Sequence, residues 1–153
     1  MLAALDQLGV PYETLPCDPD LADTAAFCAH YGFPPERSAN TIVVGARRPP
    51  HRYCACVVLA TDRLDVNRAV RDLMGIKRLS FASEEDTAAV TGMMLGGVTP
   101  FALPAGLPVY VDAAVMEPEW VILGGGSRSL KLKVPPRVFT MMDDVRIVER
   151  LTL

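Results

Sequence analysis

Tyr53-Cys54-Ala55-Cys56-Val57-Val58-Leu59-Ala60-Thr61 is the stretch on which the reading of the fold turns. In an extended chain successive side chains alternate sides. Cys54, Cys56, Val58 and Ala60 therefore share one face, and Ala55, Val57 and Leu59 the other. Both faces are apolar, the mark of a strand covered on both sides at the centre of a sheet. Upstream, Arg47-Arg48-Pro49-Pro50-His51-Arg52 reads as an exposed connection to a second β-rich run, Thr41–Val44. Downstream, Asp65 reads as an N-cap, and Val66, Ala69, Val70 and Leu73 form the stripe of an amphipathic helix closed by Gly75.

The remaining elements alternate in type. Leu2–Leu8 and Asp23–Tyr31 read as helices, the second ended by Gly32 and Pro34. Ser83-Glu84-Glu85-Asp86 resembles a capping box that opens a helix stopping at Gly92. Strands are expected at Tyr12–Leu15, Ile76–Ala82, Leu107–Val111 and Trp120–Leu123. Leu130, Leu132 and Val134 alternate with Lys131 and Lys133, which predicts a strand with one wet face. Pro136–Met142 reads as a last helical turn and Val145–Val148 as an edge strand. Together they predict one α+β domain over residues 1–153, a mixed, curved, barrel-like sheet with helices packed outside.

Half of the 153 residues are hydrophobic and 22% are charged, a balance that suits a folded globule. The net charge of −3 excludes a strongly basic RNA-binding domain but not a local basic patch. No apolar run approaches the ~20 residues that cross a bilayer. Met1–Val10 carries Asp6 and no basic residue, unlike a signal peptide, so a cytoplasmic setting and four free thiols are expected. Cys54 and Cys56 lie near His51, but the spacing fits no standard zinc pattern, and both read as small buried hydrophobes.

Two glycine-rich stretches carry the chemistry. Thr91-Gly92-Met93-Met94-Leu95-Gly96-Gly97-Val98-Thr99-Pro100 lies between a helix and a strand. Such a loop can present bare N–H groups to a carbonyl or a phosphate, although the spacing alone fits a plain turn. Gly124-Gly125-Gly126-Ser127-Arg128-Ser129 joins two strands and reads as a hairpin turn; it lacks the spacing of a dinucleotide loop. Asp112, directly after an apolar strand, reads equally as a turn residue or as a carboxylate aimed into a pocket. Neither His30 nor His51 has a local Ser or Cys nucleophile motif.

Gly96-Gly97-Val98-Thr99-Pro100 resembles the GxxxP loop of the YbaK/EbsC proteins and of the editing domain inserted in prolyl-tRNA synthetases. Leu107–Ala113, Val121–Leu130, Glu36–Val44 and Asp65–Gly75 follow the same family pattern, so the resemblance spans roughly Tyr12–Val148. It implies a deacylase that hydrolyses the ester of a misacylated transfer RNA carrying a small amino acid, with no metal or organic cofactor. Carried onto this chain, it places Gly96, Gly97, Val98, Thr99 and Pro100 at the pocket wall, with Asp112 and the turn of Gly124, Gly125, Gly126 and Ser127 beside it. The partners implied are the acceptor end of an aminoacyl-tRNA and an aminoacyl-tRNA synthetase, with no membrane or DNA. Active relatives carry a lysine where this chain has Asn40, which can hydrogen-bond but holds no charge. That departure leaves two readings open: an enzyme using Gly96, Asn40 and Asp112, or a non-catalytic module binding an aminoacyl end or a nucleotide. Arg47, Arg48, Arg52, Lys131 and Lys133 are candidates to meet RNA phosphates, although an ordinary solvated face fits the two lysines slightly better.

Overall fold

The computed structural model describes all 153 residues. In chain order the elements are α1 (Leu2–Gln7), β1 (Glu13–Pro16), α2 (Thr24–Tyr31), β2 (Ala39–Ala46), β3 (Tyr53–Leu59), α3 (Arg71–Met74), β4 (Leu79–Phe81), α4 (Glu84–Thr91), β5 (Val109–Asp112), β6 (Val121–Gly124), β7 (Leu130–Val134) and β8 (Val145–Val148). No helix is long and apolar enough to cross a membrane.

β3 sits in the middle of a mixed five-stranded sheet ordered β4-β2-β3-β5-β8. It runs antiparallel to β2 and parallel to β5, and every residue from Cys54 to Leu59 is buried. Its two apolar faces feed two cores. Ala55, Val57 and Leu59 pack with Val111, Leu132 and Phe139. Cys54, Cys56 and Val58 pack with Val66, Val70 and Leu151. The Cys54 and Cys56 sulfurs lie 3.8 Å apart. The hydrogen bond with Cys54, and then burial, push the Cys56 thiol well above its ordinary pKa, so it stays a protonated packing group.

A second, antiparallel sheet is ordered β1-β7-β6. The expected barrel-like closure does not occur. One parallel bridge, Ser38 to Ile122, links the two sheets. Upstream of it the chain passes Pro34 and Pro35, which have no N–H to extend a ladder, and downstream β6 leaves through glycines. On the outer edge of β2, β4 covers only Val44–Ala46, so the stretch Asn40–Ile42 has no strand beside it. That uncovered edge is where the cleft described below opens.

The helix ends follow the sequence signals. The Asp65 carboxylate accepts the Arg68 N–H at 3.1 Å, the Ser83 hydroxyl accepts the Asp86 N–H at 3.0 Å, and Gly32, Gly75 and Gly92 close helices in the left-handed region. One departure is local: the helix after Asp65 starts as a wide π-type turn, Val66–Val70, before tightening into α3.

Leu132, fully buried on β7, is where the smaller sheet grips the larger core. Leu132→Ala is expected to lower the unfolding free energy in urea by about 3 kcal/mol. Leu153→Ala, at a side chain 73% exposed, is expected to change it by less than about 0.5 kcal/mol.

Candidate active site

The cleft lies between α2, the uncovered edge of β2, the glycine loop and the end of β6. It encloses about 60 Å³, and Thr24, Phe27, Asn40, Gly96, Val98 and Lys131 are among the residues lining it. No lining residue carries a carboxylate.

The wall nearest β2 is set by a hydrogen bond between side chains of α2 and β2. Thr24 opens α2, and its hydroxyl donates to Oδ1 of Asn40 at 2.5 Å. That bond occupies the carbonyl end of the side chain and leaves the amide protons of Asn40 free to donate. The neighbouring Thr41 hydroxyl is buried without a partner.

The opposite wall is the loop. Gly96 has φ +85°, a conformation that favours glycine. The Gly97 N–H closes a turn onto the Met94 carbonyl at 2.9 Å, whereas the N–H groups of Gly96 and Val98 enter no backbone hydrogen bond. The Gly124–Ser127 turn braces this loop from behind. The Gly126 N–H donates to the Gly97 carbonyl at 2.8 Å, and a Cβ added at Gly124 would stand 2.2 Å from the Val98 carbonyl oxygen. Arg128 clasps the rim, donating to the Leu95 carbonyl at 2.7 Å, to Asp23 at 3.2 Å and to the Pro19 carbonyl at 3.0 Å.

The expected site residues therefore divide. Asn40, Gly96 and Val98 line the cleft, as does Gly124. Gly97, Gly125, Gly126 and Ser127 form the brace behind it. Thr99 and Pro100 are buried, and the Thr99 hydroxyl caps a short helical turn at Phe101. Asp112 does not join them. Its carboxylate is 3% exposed and accepts the N–H groups of Leu151 at 2.7 Å and Ala114 at 3.2 Å, tying the C-terminal stretch to the end of β5. Arg47 and Arg48 are exposed at the far end of β2, seven residues from Asn40, or about 24 Å along a strand. There Arg48, Arg52, Lys77 and Arg78 share one groove.

The expected wet face of β7 is not wet. Lys131 is 6% exposed and lines the cleft. Its Nζ donates to the Gly96 carbonyl at 3.0 Å and lies 5.7 Å from the centre of the Phe27 ring. Lys133 lies 4.4 Å over the Trp120 ring and 4.0 Å from Glu13. Alternation along β7 gives only that the two lysines share a face; α2 and Trp120, remote in sequence, cover it. Burial holds the Lys131 ammonium below its ordinary pKa of 10.5; Cys17, Asp23 and Cys28 oppose that shift and Arg128 adds to it.

A family profile for the aminoacyl-tRNA editing domain matches residues 18–140, and the chain belongs to that family. Solved structures carry the same fold. The hypothetical protein APE2540 superposes with a TM-score of 0.84 at 24% identity, over 95% of each chain. A structure described as that of a candidate trans-editing enzyme for prolyl tRNA synthetase gives 0.79 at 19%, over 95% of this chain and 90% of the other. A scaffold used for epitope grafting gives 0.76 at 21%, over 99% and 93%.

Gly124→Ala forces the Val98 carbonyl away, and the obstacle is backbone rather than a flexible side chain. We expect about 2 kcal/mol of destabilisation, with the largest amide shifts in Gly96–Val98. A second expectation concerns pH. Because the folded state disfavours the Lys131 ammonium, the unfolded chain holds that proton more tightly. Folding then releases it, so wild-type stability measured against Lys131→Met rises as pH climbs through the lowered folded-state value and levels off above 10.5.

Proposed function

We propose that this protein is an aminoacyl-tRNA deacylase acting in trans, cleaving the ester between a small, wrong amino acid and the 3′ end of a transfer RNA. The observation that carries the reading is a cleft with an ammonium and no carboxylate. Gly96 and Val98, whose N–H groups enter no backbone hydrogen bond, line it together with Asn40 and Lys131. Its chemical complement is a group of acceptor oxygens, which an aminoacyl ester supplies.

The ester is already activated, so hydrolysis needs water, a held carbonyl and stabilisation of the oxyanion. The Gly96 and Val98 N–H groups are fixed before substrate arrives, and a donor of this kind is worth about 3 kcal/mol to the reaction. His30 and His51 are exposed and line no part of the cleft, so no imidazole is at hand to activate a protein nucleophile. The terminal ribose hydroxyl takes the part of positioning water. A cleft of about 60 Å³ sorts by exclusion, admitting a small side chain and rejecting a bulky one. Arg47 and Arg48, with Arg52, Lys77 and Arg78, are proposed to meet phosphates back from the 3′ end.

A deacylation assay over a panel of mischarged transfer RNAs tests the reading. Rapid hydrolysis confined to small amino acids is expected; binding without hydrolysis of any member would make the chain a binding module instead. Gly96→Ala is expected to lower kcat/KM by at least about 10-fold; it costs about 1–2 kcal/mol for the left-handed backbone, and its Cβ, 2.2 Å from an Arg128 guanidinium nitrogen, also pushes aside the clasp on the loop. Arg47→Ala with Arg48→Ala is expected to reduce the slope of log affinity against log salt by about 2. An unchanged slope would remove the hairpin from the RNA footprint.

A further inference from the structure

Lys131 is the one buried cation of the chain, and its partners do not account for it. No carboxylate lies within ion-pair distance of its Nζ. An ammonium group has three protons to donate. One goes to the Gly96 carbonyl at 3.0 Å, and the Phe27 ring offers only its π face at 5.7 Å. A buried charge so poorly matched costs stability. Gly96 and Val98, whose N–H groups enter no backbone hydrogen bond, line the same cleft, as does Asn40. No carboxylate lines this cleft and the Lys131 ammonium is its only charge, so the group that matches it is an oxygen that carries or gains negative charge.

We propose that Lys131 is a catalytic residue of the deacylation, its ammonium donating to the carbonyl oxygen of the bound aminoacyl ester and stabilising the charge that grows on it. This rests on the deacylase reading above. When water attacks, its oxygen bonds to the carbonyl carbon and the π pair moves onto the carbonyl oxygen, beside the Lys131 Nζ. As that intermediate collapses, the bond to the ribose oxygen breaks, and the ribose oxygen takes the proton that the water gives up. The products are a free amino acid and a transfer RNA with its terminal hydroxyl restored. A phosphate is the less suitable occupant: Lys131 is 6% exposed at the base of a cleft of about 60 Å³, whereas a phosphodiester must continue into the RNA chain on both sides. The charge is thus placed by β7, across the cleft from Asn40, which has none to give.

The test uses the intact chain and two uncleavable probes. One is adenosine bearing a 3′-O-(1-aminoethyl)phosphonate, whose tetrahedral centre is anionic; the other is 3′-alanylamido-3′-deoxyadenosine, a neutral amide. Wild type is expected to bind the phosphonate at least about 10-fold more tightly than the amide. Lys131→Met and Lys131→Gln are both expected to lose most of that preference, weakening the phosphonate far more than the amide, and to lower kcat about 100-fold on alanyl-tRNA with a much smaller change in KM. Lys131→Gln keeps a donor for the Gly96 carbonyl, so it separates charge from bracing and serves if Lys131→Met fails to fold. Adding Asn40→Lys to Lys131→Met puts a cation back into the same cleft and is expected to restore much of the preference. If the variants keep the preference or the turnover, or wild type binds the amide and shows no preference, Lys131 merely braces the loop and the deacylase reading survives. If wild type binds neither probe and hydrolyses no member of the mischarged panel, the deacylase reading fails and this inference fails with it.

Discussion

The site depends on a contact between two stretches of bare backbone. At Gly124 the end of β6 meets the Val98 carbonyl with no side chain between them, since a Cβ there would stand 2.2 Å from that oxygen. Gly97 meets Ser127 in the same way, with a virtual Cβ 2.6 Å from the Ser127 carbonyl carbon. One hydrogen bond, from the Gly126 N–H to the Gly97 carbonyl, fixes the register. Such a bond is worth only about 1 kcal/mol net. The sterics decide the geometry: with hydrogen in place of Cβ at both positions the loop seats fully, which carries the Gly96 carbonyl to Lys131. Arg128 then locks the outer rim of the same loop to the N-terminal end of α2.

Electrostatics in this molecule are arranged against the total. The chain carries a net charge of −3, yet its cleft holds an ammonium and no carboxylate, and the groove at the other end of β2 is lined by Arg48, Arg52, Lys77 and Arg78. Exposed charges of either sign cost little to keep in water. The cost is concentrated at Lys131, where desolvation outweighs the pull of its acidic neighbours. The two cores that sandwich β3 supply the stability that tolerates it.

The fold was legible where a residue's own pattern determines its surroundings. An apolar strand with two dry faces has to be central, and β3 is. A serine or aspartate before an apolar stripe caps a helix, as Ser83 and Asp65 do. The sheets' failure to close was not legible, because it depends on how far the Ser38–Ile122 bridge extends, a matter of tertiary geometry. In the site, the glycine stretches alone fitted plain turns; the family resemblance brought them together with Asn40, and Asn40, Gly96, Val98 and Gly124 do line one cleft. Asp112 shows the limit. A carboxylate after a strand looks alike whether it turns toward a ligand or toward an N–H 39 residues away, and here it takes the Leu151 N–H. Lys131 shows the converse, since alternation with Leu130 and Leu132 cannot say whether water or an aromatic helix face covers the lysine side.

The Ser38–Ile122 bridge gives the cleft a particular character. β2 belongs to one sheet and β6 to the other, and a single rung is the only ladder contact across the seam. The cavity's breadth is therefore set at a seam where the two sheets share one apolar core but only one backbone rung. A substitution in that shared core, at Val57 or Leu132, would shift one sheet against the other and so change the width of the cleft from outside its lining.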